Sequence, residues 1–171
     1  MFQSELHIPK ERVAVLIGKR GSTRREIEQL TSTRISVTKE GDVSIGSDDN
    51  LNVYVTTSIV KAIGRGFSPE IAETLWSEEQ YLEIVTIGNI SRGSQKNLTR
   101  VRSRLIGSGG MARKNLEQMT NTHISVYGKT VAIIGCHEDV LLAKQAISKL
   151  ICGSKHGNVY KYVERHKQRI R

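Results

Sequence analysis

The sequence predicts an α+β protein built from one unit repeated in tandem. Each unit is an antiparallel three-stranded sheet with helices on one face, in the order β-α-α-β-β-α, and a C-terminal helix follows the second. Three observations lead there. Residues 16–37, LIGKRGSTRREIEQLTSTRISV, and 105–126, LIGSGGMARKNLEQMTNTHISV, agree at twelve of 22 positions without a gap, which marks an internal duplication. Each copy sets Gly-x-x-Gly between two stretches of helical period, with an Ile-Ser-Val strand at the same distance beyond. Short stretches of strict alternation open both copies.

Residues 2–8 alternate, with Phe2, Ser4, Leu6 and Ile8 on one face, so they read as a half-buried strand. Pro9 suits the start of a helix that runs through Val13, Leu16 and Ile17. Ser22 is placed to cap a second helix ending near Thr31. Residues 34–38 and 42–46 form a hairpin around Glu40-Gly41-Asp42. Asp48 or Asp49 starts a third helix, with Leu51, Tyr54, Val55, Ile59 and Ile63 as its apolar positions. Ser68-Pro69-Glu70 opens a short connecting helix that Ile71, Leu75 and Trp76 seat on the core. It is no Gly/Ser linker, so the two domains are expected in a fixed arrangement. The second copy repeats the plan with a strand over Tyr81–Ile87, helix 111–120, a hairpin at Gly128-Lys129 and helix 137–152. About ten extra residues, 88–97, precede its first helix and carry Arg92 and Lys96. The expected domains are therefore 1–66, a connecting segment 67–79, 80–153, and a basic C-terminal helix over 154–171. Val159, Val163, His166 and Ile170 form one stripe of that helix. It either docks on the body or reaches out to a ligand, and docking of its first half is the expectation.

The net charge is +9 and is unevenly spread. Residues 67–79 are acidic, whereas the second domain and the tail hold most of the excess of Lys and Arg. That is the footprint of a polyanion binder. No apolar run approaches the roughly 20 residues of a membrane span. Met1-Phe2-Gln3-Ser4-Glu5-Leu6 does not read as a secretory signal. Cys136 and Cys152 lack metal-ligand spacing, which points to reduced thiols and a cytoplasmic protein.

Glycines at the loop leave room for a ligand backbone to approach, and the helix that follows presents free N–H groups to an anion. A helix, Gly-x-x-Gly and helix that pinch four unpaired nucleotides is the device of KH domains, and the element order is that of their type I. The candidate RNA-binding residues of the first domain are Ile17, Gly18, Lys19, Arg20, Gly21, Arg24 and Arg25. Those of the second are Arg104, Ile106, Gly107, Ser108, Gly109, Gly110, Arg113 and Lys114. The loop residues Ser108 and Gly109 are uncharged, so Arg104, Arg113 and Lys114 must supply its phosphate contacts. Ile17, Ile27, Ile35 and Val37 are floor candidates in the first groove; Ile106, Leu116, Ile124 and Val126 are those of the second. Aromatics are few, so bases would be read by aliphatic shape and edge hydrogen bonds rather than by a stacking sheet.

No catalytic constellation emerges. His7, His123, His137, His156 and His166 form no H-x-x-H pattern, and Gly18-Lys19-Arg20-Gly21 is too short for a phosphate loop of the G-x-x-x-x-G-K-[ST] kind. No enzyme, metal or cofactor is expected.

Three stretches narrow the resemblance. Residues 61–70 (KAIGRGFSPE), 124–135 (ISVYGKTVAIIG) and 153–160 (GSKHGNVY) resemble the partner-of-Nob (Dim-two) family of KH-domain small-subunit assembly factors. The chain looks like a compact archaeal member without the long N-terminal extension of eukaryotic relatives. The resemblance implies binding near the 3′ end of small-subunit ribosomal RNA during its maturation. It also implies contact with the Nob endonuclease and with the alpha subunit of translation initiation factor two. One departure is visible: Arg24 and Arg113 occupy the place after the loop where KH domains often carry an aliphatic residue. A competing reading is an RNA-binding subunit of a degradation or transcription complex, but such proteins couple KH to another RNA-binding module and none is visible.

Overall fold

The computed structural model describes residues 1–87 and 95–170, the side chains of 95, 96 and 168–170 excepted. Residues 88–94 of the expected 88–97 loop, with Arg92, and the side chains of Lys96 and Ile170 lie outside that description; residues 95–97 are not loop but already helical. The chain divides into two compact units, 1–78 and 79–171.

In the first unit β1 (Phe2–His7) leads into α1 (Lys10–Ile17), a single 3₁₀ turn (Lys19–Gly21) and α2 (Ser22–Thr31). The hairpin β2 (Arg34–Val37) and β3 (Asp42–Ser47) follows, then α3 (Asn50–Gly64), α4 (Pro69–Glu73) and a 3₁₀ turn at Thr74–Trp76. The sheet order is β1-β3-β2, antiparallel throughout. Register follows the pleat: Leu6 faces Val43, Ile35 faces Ile45 and Val37 faces Val43, which puts the β-branched side chains on the helix-covered face. Leu16, Ile27, Ile45, Ile59 and Ile63 are wholly buried between sheet and helices. Each such side chain contributes about 1.5–3 kcal/mol of apolar burial.

The second unit repeats this with β4 (Tyr81–Thr86), α5 (Gln95–Ile106), a 3₁₀ turn (Ser108–Gly110), α6 (Met111–Thr120), β5 (His123–Tyr127), β6 (Thr130–Gly135) and α7 (His137–Ile151). Its sheet order is β4-β6-β5, again antiparallel. The last helix, α8 (His156–Ile170), docks on α6 and α7: Val159 and Val163 are buried in the same core as Leu116 and Ile147. Docking extends past its first half, because Lys167 Nζ donates to Met119 O at 2.7 Å and so satisfies a carbonyl at the end of α6.

Several local expectations are corrected. Ser22 is not the cap of α2: Gly21, in a left-handed conformation, holds that position and Ser22 is already helical. Asp49, not Asp48, caps α3 by accepting from the Leu51 N–H at 2.8 Å. The helix turns Val53, Thr56, Ile59 and Ile63 inward and leaves Leu51 and Tyr54 exposed. Phe2 is exposed, and Phe67 and Ala72 join Leu75 in seating α4 while Trp76 is 40 % exposed.

The sequence reading missed two buried pairs of threonines. Thr31 Oγ1 donates to Ile27 O and lies 2.8 Å from Thr33 Oγ1; Thr120, Leu116 and Thr122 do the same in the second unit. The signal was present, since Thr-x-Thr is identical in both repeats.

Candidate nucleic-acid interface

The two glycine turns have nearly the same backbone. Gly18 and Gly107 start them at φ/ψ of 72/179° and 73/174°. The third residue is left-handed in both, Arg20 at 55/27° and Gly109 at 59/20°, and so is the fourth, Gly21 at 78/18° and Gly110 at 77/12°. Each turn closes on itself, through Gly21 N–H to Gly18 O and Gly110 N–H to Gly107 O, both 3.2 Å.

The glycines serve two purposes. A Cβ on Gly18 would lie 2.2 Å from Thr23 Oγ1, and one on Gly107 would lie 2.7 Å from the Ala112 methyl, so the helix start leaves space for hydrogen alone. Among the described residues nothing lies within 4 Å of a Cβ position on Gly21, Gly109 or Gly110. Those sides of the turns are open, and Lys19, Arg20, Ser108 and Gly109 are exposed. Among the described residues neither α2 nor α6 has a side-chain cap; the Ser22 and Met111 N–H groups bond back to Lys19 O and Ser108 O, and the helix dipole leaves positive potential at each start.

The cations play unequal parts. Lys19 and Arg20 stand at the first turn. Arg20 is held in a conformation that costs a residue with a Cβ about 1 kcal/mol. Arg25 offsets this by donating from Nη2 to Arg20 O at 2.7 Å and from Nε to Gly21 O at 3.2 Å. It was expected to grip RNA; its donors hold the turn in shape and keep positive charge beside it. Arg24 lies 3.9 Å from Glu28, and its Nε is shut off from solvent with no hydrogen-bond partner among the described residues. It lines a cleft of about 450 Å³ with Glu28, Arg34, Ile35 and Ser36.

In the second unit two expected phosphate contacts are already engaged. Arg104 donates from Nη2 to Ser154 O at 2.6 Å and from Nε to Leu150 O at 3.3 Å, closing the C-terminal end of α7. Arg113 Nη1 donates to Glu117 Oε1 and to Ile124 O, at 3.4 and 3.1 Å. Glu117 in turn accepts the Ile124 N–H at 2.8 Å, as Glu28 accepts that of Ile35 at 2.7 Å. Both sheet edges are thus tied to the helix behind them. Of the three cations assigned to the second groove, Lys114 alone is exposed and makes no ion pair among the described residues.

The aliphatic floor also divides. Ile27, Ile35, Leu116 and Ile124 are core residues, 0–4 % exposed. Ile17 and Val37, and their counterparts Ile106 and Val126, are half-buried and remain able to meet a base.

Comparison with known proteins agrees with this geometry. Residues 81–168 match the family model described as eukaryotic type KH-domain (KH-domain type I), and residues 3–63 match that of the KH domain. The chain is 43 % identical over 170 residues to a KH domain-containing protein of Methanocaldococcus jannaschii, covering 97 % of this chain and 74 % of that one. It is 48 % identical to the Dim2p chain in a solved a/eIF2alpha-aDim2p-rRNA complex from Pyrococcus horikoshii, with a TM-score of 0.91 over 98 % of this chain and 94 % of that one. It is 27 % identical over 113 residues to the pre-rRNA-processing protein PNO1 of Yarrowia lipolytica, covering 66 % of this chain and 44 % of that protein. With two type I units in tandem, the same open glycine turns and these likenesses, the chain belongs to the KH-domain family, in the branch that holds archaeal Dim2p and PNO1.

Proposed function

We propose that the chain is a non-catalytic, single-stranded RNA-binding protein of small ribosomal subunit assembly, which holds ribosomal RNA near its 3′ end during maturation. The observation that carries this reading is the pair of glycine turns, alike in backbone and open beside Gly21, Gly109 and Gly110. A sugar–phosphate chain lies against each turn, toward the uncapped start of the following helix, while bases meet Ile17 and Val37 or Ile106 and Val126. Lys19, Arg20 and Arg24 supply charge in the first groove. In the second, Lys114 and the backbone of Gly107, Ser108, Gly109 and Gly110 do so. The related Pyrococcus horikoshii protein is found with ribosomal RNA and an initiation factor alpha subunit, and the Yarrowia lipolytica relative is named for pre-rRNA processing. The same alpha subunit is therefore proposed as a partner here, and the Nob endonuclease, on the family resemblance, as the enzyme acting on the RNA this protein presents in the cytoplasm.

Replacing Lys19 and Arg20 together with Asp tests the first groove. Affinity for a short single-stranded RNA should fall at least tenfold, with an unchanged melting temperature, because both side chains are exposed. Ser108→Asp with Gly109→Asp tests the second. Undiminished binding by both double variants in a fluorescence-anisotropy titration would refute the reading.

A further inference from the structure

The second unit poses an electrostatic question: its glycine loop is uncharged and two of its nearby arginines are engaged. Charge without a partner is found one element away. A cleft of about 590 Å³ opens between the end of α7 and α8, lined by Lys149, Ser154, Asn158, Lys161, Tyr162 and Arg165 with the side of His166. Among the described residues no carboxylate lines it. Among the described residues Lys161 and Arg165 make no ion pair, and both are exposed. They lie one helical turn apart, a rise of about 6 Å, so both cations face one side.

Two hydrogen bonds tie the cleft's wall to the helix end that precedes the loop. Ser154, in its wall, accepts from Arg104, which lies three residues before Gly107. His156 Nε2 is 2.8 Å from Arg104 O. The start of α8 is therefore fastened to the helix end that opens into the second glycine turn.

We propose that this cleft is a second RNA-backbone site, where a strand pinched at Gly107–Gly110 continues along Lys149, Lys161 and Arg165. This rests on the RNA-binding reading above. The lining favours a phosphate chain over an acidic protein segment. Protein partners anchor through aromatic or apolar side chains in pockets. Here Val159 is only 1 % exposed, and the Tyr162 ring is taken up by Lys149 Nζ at 4.4 Å and by the His166 ring at 3.9 Å. The Lys161 and Arg165 cations and the Asn158 amide remain open beside them, groups that position a phosphate chain without reading sequence.

The test compares wild type with the Lys161→Ala/Arg165→Ala double variant on two labelled RNAs. One is a single strand of about six nucleotides, little more than the four a KH groove holds; the other is about five times longer. The short strand should bind both proteins alike. On the long strand the variant should lose about tenfold in affinity, and its plot of log affinity against log salt should flatten by about 1.4, the share of two phosphates. Unchanged affinity and slope on the long RNA would overturn the proposal and leave the cleft to an acidic protein segment. An equal loss on both RNAs would also overturn it, by making the cleft the primary site. If wild type binds neither RNA, the groove reading itself fails. An unchanged melting curve for the variant confirms that it is folded.

Discussion

Gly18 and Gly21 are both glycine for reasons of backbone, but only Gly18 is also closed in by its neighbours. Gly18→Ala drives a methyl into Thr23 in addition to straining φ, whereas Gly21→Ala strains φ alone in open space. The first should cost on the order of 3 kcal/mol and the second about 1 kcal/mol, as left-handed conformations penalise a Cβ. Urea unfolding midpoints separate the two, and equal losses would contradict this division of roles. The spacing of the motif was legible in the sequence. The unlike duties of its glycines were not, because they depend on where the first turn of α2 passes. The same limit applies to the arginines. Arg20, Arg24, Arg25, Arg104 and Arg113 are one residue type in the sequence. Only packing shows that Arg25 holds the turn, that Arg104 closes a helix and that Arg113 ties down β5.

At the scale of elements, each unit closes the end of its third helix with an arginine. Arg12 donates from Nε to Ile63 O at 2.8 Å and from Nη2 to Phe67 O at 2.7 Å. Arg104 reaches the equivalent carbonyls, of Leu150 and Ser154, from a position one turn further along its own helix. Both place positive charge at the negative end of a helix and satisfy carbonyls left over by its last turn. Arg12→Ala or Arg104→Ala should cost about 2 kcal/mol by denaturant titration, and Lys should not restore the loss, since it lacks the planar fork. RNA affinity of the folded variants should stay within about twofold; a tenfold loss for Arg104→Ala would return it to the site. The repeat comparison hid this device, because Arg12 aligns with Val101 and Arg104 with Val15. Element order, by contrast, was fully legible, since period and turn residues are local. The exposure of Leu51 and Tyr54 was not: the stripe that α3 buries is Val53, Thr56, Ile59, Val60 and Ile63, and packing on the sheet, not local sequence, selects it.

Across the whole molecule, the duplication made two units recognisable before any coordinates. It did not show that they would solve the same problem with different charges. The first turn carries Lys19 and Arg20 at its tip; the second carries none, and among the described residues Lys114 on α6 and Lys161 and Arg165 on α8 are exposed and make no ion pair. The tail, read as basic and partly docked, is a full helix of the second unit's core whose outer side keeps its charge. The proposed grip on RNA requires backbone openness at both turns, and nuclear magnetic resonance reads that directly. Titrating a short single-stranded RNA into the labelled full chain should shift the amide resonances of Gly18, Gly21, Gly107, Gly109 and Gly110 together with the first turns of α2 and α6. Resonances of both turns that stay unmoved while shifts gather on other surfaces would contradict it.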